Sequence, residues 1–286
     1  MKWLNRAYWL LALLLLAGCD AGQAPMQASA PEPVPSDPAA MTPLQRAEAG
    51  QALWEEKCRT LAGEKIYKTV ADVEGLVLLK IRPQASDREW ADPNWPGAAF
   101  AREARQDEYI NSFLGYEEAF SFGGVPRTIT KEYRGAINTS YSPGPKQYPG
   151  YRYVDVINPE DGQRYRYTGR WEEPWQYDKS YLQGYIKFFL DKTLAPEPSP
   201  RYGVTFEDHV IPADRALGVA SSTVRIIDLK TNEVLGEMLR YAWSTPASRA
   251  NPSPWLAAHK CPSHAEAASS ATRMFVDQVL IPRKEQ

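Results

Sequence analysis

The sequence predicts an α+β fold, a mostly antiparallel sheet with an N-terminal and a C-terminal helix packed on it. Three observations carry that expectation. Helical spacing with capping signals appears near residue 43 and again near residue 264. Between them lie β-rich runs separated by Pro, Gly and Asn/Asp turns. With 43% apolar residues in 286, the chain can bury one large core or two small ones, and no internal repeat divides it.

The elements follow in order. Thr42-Pro43-Leu44-Gln45 is a capping-box pattern with Pro at the first helical position. Leu44, Ala47, Trp54, Cys58 and Leu61 recur at helical spacing, and Gly63 is a natural stop, so a helix is expected over 43–61. Lys65–Val70 and Gly75–Ile81 read as strands. The second is near-continuously apolar, the mark of a buried strand, and Pro83 ends it. Asp92-Pro93-Asn94-Trp95-Pro96-Gly97 is a turn. Tyr109–Phe113 and Arg127–Tyr133 are expected strands, and residues 138–150, with three prolines, a loop. Tyr151–Ile157 and Gln163–Arg170 form a hairpin around 158–162, and Val224–Asp228 and Glu233–Trp243 a second around 229–232. A short helix is expected over Lys179–Asp191, where Tyr181, Tyr185, Phe188 and Phe189 share a face. Ser263-His264-Ala265-Glu266 is another capping box, and Ala268, Ala271, Phe275 and Val279 extend it into a helix over 264–280 that Pro282 closes.

Residues before 43 do not belong to that fold. Lys2 and Arg6 flank an apolar stretch, Ala7 to Ala17, which at about eleven residues is too short to span a membrane (about twenty are needed). It ends in Leu16-Ala17-Gly18-Cys19, which resembles the lipobox of bacterial lipoprotein precursors. The resemblance covers residues 1–20 only. It implies a signal peptide over 1–18, cleavage before Cys19, a diacylglycerol thioether on that sulfur and an acyl chain on the new N-terminus. Two or more chains anchor stably, at about 0.8 kcal/mol per buried CH₂. Asp20 resembles an inner-membrane retention signal, with the outer membrane as the other destination; either way the folded part faces the periplasm. The ordinary alternative is a secretory signal with a chance cysteine. Residues 20–42 are almost all Ala, Pro, Gln, Ser, Gly and Asp and cannot bury enough apolar surface to offset their ordering entropy. They read as a tether that reaches roughly 70 Å when extended. Residues 43–286 read as a single domain.

Charge narrows the function classes. Lys and Arg number 33 against 35 Asp and Glu, a net charge of −2, which excludes a nucleic-acid binder driven by bulk charge. Cleavage after residue 18 removes only cations, Lys2 and Arg6, so attachment would rest on lipid and not on a basic patch. Three cysteines exclude a disulfide-dense miniprotein. With Cys19 lipidated, Cys58 and Cys261 are left, and in an oxidising compartment a remaining pair is most simply a disulfide. His259 and His264 flank Cys261, so a Cys₂His₂ zinc set or a reactive Cys–His pair are the competing readings, although the spacing matches no common zinc pattern.

The first hairpin is the most interface-like stretch. With its register centred on Glu160, Tyr151, Tyr153, Tyr165 and Tyr167 share one face, and Arg152, Arg164, Arg166 and Arg170 the other, with Trp171 and Trp175 just beyond. Tyr, Trp and Arg dominate interface hot spots. Tyr151, Tyr153, Arg164, Tyr165, Arg166, Tyr167, Arg170, Trp171 and Trp175 are therefore the candidate partner surface. A cross-strand tyrosine ladder on a core is the plainer alternative, and a glycan or anion site a third. Glu117-Glu118, Glu172-Glu173 and Asp208-His209 would have to converge to serve a hydrolase, which needs opposed carboxylates. No Gly-x-Ser-x-Gly, His-Glu-x-x-His, phosphate-binding Gly-rich loop or Cys-x-x-Cys occurs. The expectation is a lipid-anchored periplasmic binding or interaction protein without catalysis, of envelope-accessory or toxin-neutralising type. No cofactor, metal or nucleic acid is called for, a protein partner is expected, and the oligomeric state is left open. An envelope hydrolase acting on glycan or peptide is the alternative.

Overall fold

A computed structural model of the chain describes residues 37–114, 150–185, 187–262 and 270–283. The signal segment with Cys19 and Asp20, the strand expected at 127–133, most of the 138–150 loop, Glu117, Glu118, and the 263–266 capping box with His264 lie outside them.

The fold centres on a large mixed sheet with a few helices. The first helix, α1 (Pro43–Thr60), starts as expected: Thr42 accepts from the Gln45 amide at 3.2 Å, and the Gln45 side chain accepts from the Thr42 amide at 2.9 Å. Before it, within the stretch read as tether, Pro38–Ala40 forms a 3-10 turn. Gly63 opens β1 (Gly63–Ile66); β2 (Val70–Val73) is a separate strand, so the run read as one strand over 65–70 is two elements. The strand β3 (Gly75–Leu78) is buried at every position. After α2 (Asp87–Ala91), capped by Ser86, and a turn that buries Trp95, the chain forms α3 (Asp107–Leu114).

That last element corrects the strand expected at 109–113. Tyr109, Ile110, Phe113 and Leu114 are all buried, at the i, i+1, i+4, i+5 spacing of one helix face, and Asp107 and Glu108 suit the positive end of the helix dipole. A short apolar run does not distinguish helix from strand by itself.

The hairpin β4 (Tyr153–Ile157) and β5 (Arg164–Glu172) follows, with Gly162 at φ +68° in its loop. The helix expected over 179–191 is instead a bend with Gly184 at φ +81°, followed by the strand β6 (Lys187–Leu194). Eight residue pairs with β5 hold it, from Glu172–Lys187 to Tyr165–Leu194. Tertiary pairing overrides the helical spacing of the aromatics, which suit a pleated surface equally well. Next come β7 (Tyr202–His209), which the sequence reading missed, α4 (Pro212–Ala216), β8 (Val219–Asp228) and β9 (Glu233–Trp243). β8 begins five residues earlier than expected. The chain closes with β10 (His259–Cys261), α5 (Ala271–Val279) and β11 (Leu280–Pro282), which pairs in parallel with β2.

The main sheet runs β1-β9-β8-β7-β3-β4-β5-β6, and β10 continues the β1 edge along β9. Most pairs are antiparallel, but β3 is parallel to both its neighbours, β4 and β7, so the sheet is mixed and not simply antiparallel. A short strand buried on both faces is the usual occupant of such a place. Alternate residues of β9 face opposite ways. Met238 and Ala242 join the main core with Phe275 and Val279 of α5, while Tyr241 and Trp243 pack with Leu53, Trp54 and Cys58 of α1. The two helices thus cover opposite faces of β9.

Candidate functional site

The interface-like hairpin comes out differently from its reading. The strands pair Val154 with Tyr167 and Val156 with Tyr165, one position away from a register centred on Glu160. A one-residue slip moves a whole strand to the other face. Tyr153 therefore shares its face with Arg164 and Arg166, while Tyr165 and Tyr167 lie on the side of the buried Val154 and Val156.

The cations on this hairpin are engaged internally. Arg166 grips the fully buried Asp155 with two bonds of 2.7 and 3.0 Å and lies 3.6 Å over the Tyr153 ring. Arg164 also pairs with Asp155, and with Glu197 at 2.7 Å. Arg170 bridges Glu172 and Asp191. Lys192 sits 4.1 Å over Tyr165, and Lys179 3.5 Å over Trp175. Tyr151 is a core residue, 1% exposed, whose hydroxyl donates to the Leu280 carbonyl at 2.5 Å. Trp171 stands opposite Phe188 in the strand register.

The hydrolase candidates among the described residues do not converge. Asp208 accepts from Arg82 at 2.9 Å, and His209 meets the Thr223 hydroxyl at 2.8 Å, both on β7. Glu172 ends β5, three strand positions away, about 14 Å at about 4.8 Å per strand. Cys58 and Cys261 form a disulfide with their Cα atoms 5.8 Å apart, so neither sulfur is available to zinc, and the His259 ring stacks on Trp243 with centroids 5.5 Å apart.

The described residues enclose a better candidate at the corner where α1, α4 and the end of β9 meet. Its frame is close backbone packing. A Cβ on Gly50 of α1 would overlap the Leu217 carbonyl, and one on Gly218 would overlap the Ser244 carbonyl. Gly218 also sits at φ +73°, and its carbonyl accepts from the Ser244 amide at 3.0 Å. The α4–β8 turn is thus clamped between α1 and the strand end. Trp243 stacks on Trp54 at 6.5 Å. Trp255, 2% exposed, is fixed by its indole N–H on the Asp92 carbonyl at 2.8 Å.

Between these parts is a cleft of about 460 Å³. Arg46, Pro93, Arg215, Trp243, Pro246 and Trp255 supply most of its character. Volume and lining are those of a small-molecule site, apolar walls with a few polar groups.

Arg215 is the unusual member. It is 3% exposed, and its guanidinium stands 5.5 Å from the Trp255 ring. It donates to the His209 carbonyl at 3.0 Å and the Pro93 carbonyl at 3.4 Å, while Nε is buried with no acceptor among the described residues. No carboxylate among them pairs with it. The adjacent Asp214 is taken by Lys57 at 3.1 Å. Burial pulls the Arg215 pKa down to about 10, against the opposing influence of Asp208, Asp214 and Asp92. Arg46, at the cleft edge, bonds to the Pro38 and Met41 carbonyls, at 3.1 and 3.4 Å. None of these residues was singled out from the sequence. The available hints were a Trp set among prolines at 252–255 and a Pro-Ala-Asp-Arg turn at 212–215. Comparison with protein-family models, curated proteins and solved structures gives no match.

Proposed function

We propose that the chain is a lipid-anchored protein of the bacterial envelope that binds a ligand in the Trp243–Trp255 cleft without transforming it. The cleft carries the reading: about 460 Å³ of mostly apolar space, framed by backbone contacts too close for any side chain at Gly50 or Gly218. Preformed space of that kind favours binding because little ordering is needed when the ligand enters. The Leu16-Ala17-Gly18-Cys19 motif supports lipid attachment at Cys19, and Asp20 favours the periplasmic face of the inner membrane. Arg46 links the two ideas. It holds the Pro38 turn, where the tether joins the domain, and lines the cleft, so the bound ligand lies beside the tether's root. An envelope-accessory or toxin-neutralising protein partner remains part of the proposal, acting on or through the liganded domain.

Two variants test it. Cys19→Ser should abolish palmitate incorporation and release the protein into the soluble periplasmic fraction; unchanged membrane association would contradict the anchor. Ala216→Trp places a large ring from an exposed position on the cleft lining. It should remove small-molecule binding seen by ligand-observed NMR while leaving the circular dichroism spectrum unchanged. Unchanged binding would contradict the cleft.

A further inference from the structure

We infer that the cleft selects a small apolar monocarboxylate whose anionic group docks at Arg215 and whose body lies along Trp243 and Trp255, an inference that rests on the cleft being a binding site.

Three of the other four buried arginines show why; the fourth, Arg240, is engaged as well and lies 4.9 Å over the Phe100 ring. Arg82, 1% exposed, lies between the Phe100 and Phe206 rings and has two acids, Asp208 at 2.9 Å and Glu103 at 3.3 Å. Arg273 pairs with Asp277 at 2.5 Å. Arg105 has no ion pair among the described residues, but its two terminal nitrogens donate to three carbonyls, those of Pro83, Phe100 and Ala101. Among the described residues Arg215 has neither a paired acid nor a full set of carbonyls. Only two of its five N–H groups have acceptors among the described residues, and one of those bonds is long at 3.4 Å. A buried charge without a partner is costly. A cation kept that way on the wall of an open cleft is suited to a partner that arrives with the ligand, and a carboxylate matches the guanidinium fork.

Arg215 is the one buried cation on the cleft lining among the described residues, which matches a single carboxylate. Two tryptophans and four prolines, Pro93, Pro212, Pro246 and Pro254, leave few acceptors or donors for a polyhydroxylated body, which points to an aliphatic or aromatic one.

The test is a panel of aliphatic and aromatic monocarboxylates with their matched primary amides, screened against the full-length chain by saturation-transfer NMR and titrated by tryptophan fluorescence. Acids are expected to bind roughly tenfold more tightly than their amides, the gain of one charge-assisted hydrogen bond. Arg215→Met should abolish that preference while leaving amide binding in place, Arg215→Lys should keep part of it, and Ala216→Trp should remove both acids and amides. Amides binding as tightly as acids, or an acid preference that survives in Arg215→Met, would overturn the anion assignment and leave the cleft intact. A panel without any hit sensitive to Ala216→Trp would overturn the cleft itself, and binding would then have to be sought elsewhere, including occupation by the chain's own Ala/Pro-rich segment.

Discussion

Two regions of this protein are rich in the same residue types and use them in opposite ways. On the β4–β5–β6 hairpin, Arg164, Arg166 and Arg170 each have a carboxylate, and Lys179 and Lys192 each lie over a ring. At the corner of α1, α4 and β9, Arg215 is more deeply buried than any of those arginines and has no paired acid among the described residues. Tyr, Trp and Arg content alone therefore does not tell the two regions apart. The hairpin's groups satisfy one another and stiffen a sheet edge, whereas at the corner a charge is left for something else to meet. The difference lies in whether each buried charge has its partner within the chain.

The corner side also carries the covalent link, which sets the largest expected effect. The Cys58–Cys261 bridge ties the end of α1 to β10 across a sequence separation of 203 residues. Replacing both cysteines by serine should lower the unfolding free energy by up to about 5 kcal/mol, the chain-entropy figure for a loop of that length. Equilibrium urea unfolding reads it; a loss below about 1 kcal/mol would mean that the α1–β9 packing does not depend on the link. Next in size is a pair of glycine substitutions. Gly50→Ala pushes against the Leu217 backbone carbonyl, which has no easy way to yield, whereas Gly169→Ala on the hairpin meets only the Phe188 ring. Both overpack, and about 1–3 kcal/mol is usual. Gly50→Ala should fall at the top of that range and Gly169→Ala at the bottom, and the reverse order would break the picture of a rigid corner and an adjustable edge. The third effect concerns the Asp277 carboxyl on α5, 3.3 Å from the Tyr151 hydroxyl. Asp277 pairs with Arg273, yet burial pushes its pKa up to about 6. The folded state then holds this proton more tightly than the unfolded chain. The resulting stabilisation is full below about pH 4 and is lost as pH rises through 6. Carbon-detected NMR of the Asp277 carboxyl should show a midpoint near 6; a midpoint near the ordinary 3.9 would contradict the stated desolvation.

What the sequence made legible was local. The Thr42–Gln45 capping box, the two hairpins around Asn158–Gly162 and Leu229–Asn232, and the pairing of Cys58 with Cys261 each depend on neighbouring residues or on simple parity. The failures share a cause. Phe188 and Phe189 satisfy a helical pattern and a strand pattern equally, and pairing with β5 decides between them. Tyr202–His209 mixes Val204 and Phe206 with Thr205, Glu207 and Asp208, too short an alternation to stand out before its neighbours β3 and β8 are in place. The hairpin turn was recognised but its register was not, because the loop from Asn158 to Gln163 allows the strands to slide by one residue. The cleft could not be read at all. Its lining comes from five separate stretches, near residues 46, 93, 215, 243 and 255, and the lack of an ion-paired acid for Arg215 among the described residues is a property of the assembled corner.

The most direct test of the contrast is to measure the unfolding free energies of Arg215→Met and Arg166→Met side by side. Losing Arg166 deprives the fully buried Asp155 of its two-bond partner and should cost at least about 2 kcal/mol. Losing Arg215 forfeits two carbonyl bonds, one of them long at 3.4 Å, but also removes a cation that burial disfavours, so the two effects oppose each other and the change should stay within about 1 kcal/mol. A small loss for Arg215→Met beside a large one for Arg166→Met is the predicted result. Equal, large losses would contradict the account, because Arg215 would then be as much a structural group as the arginines of the hairpin.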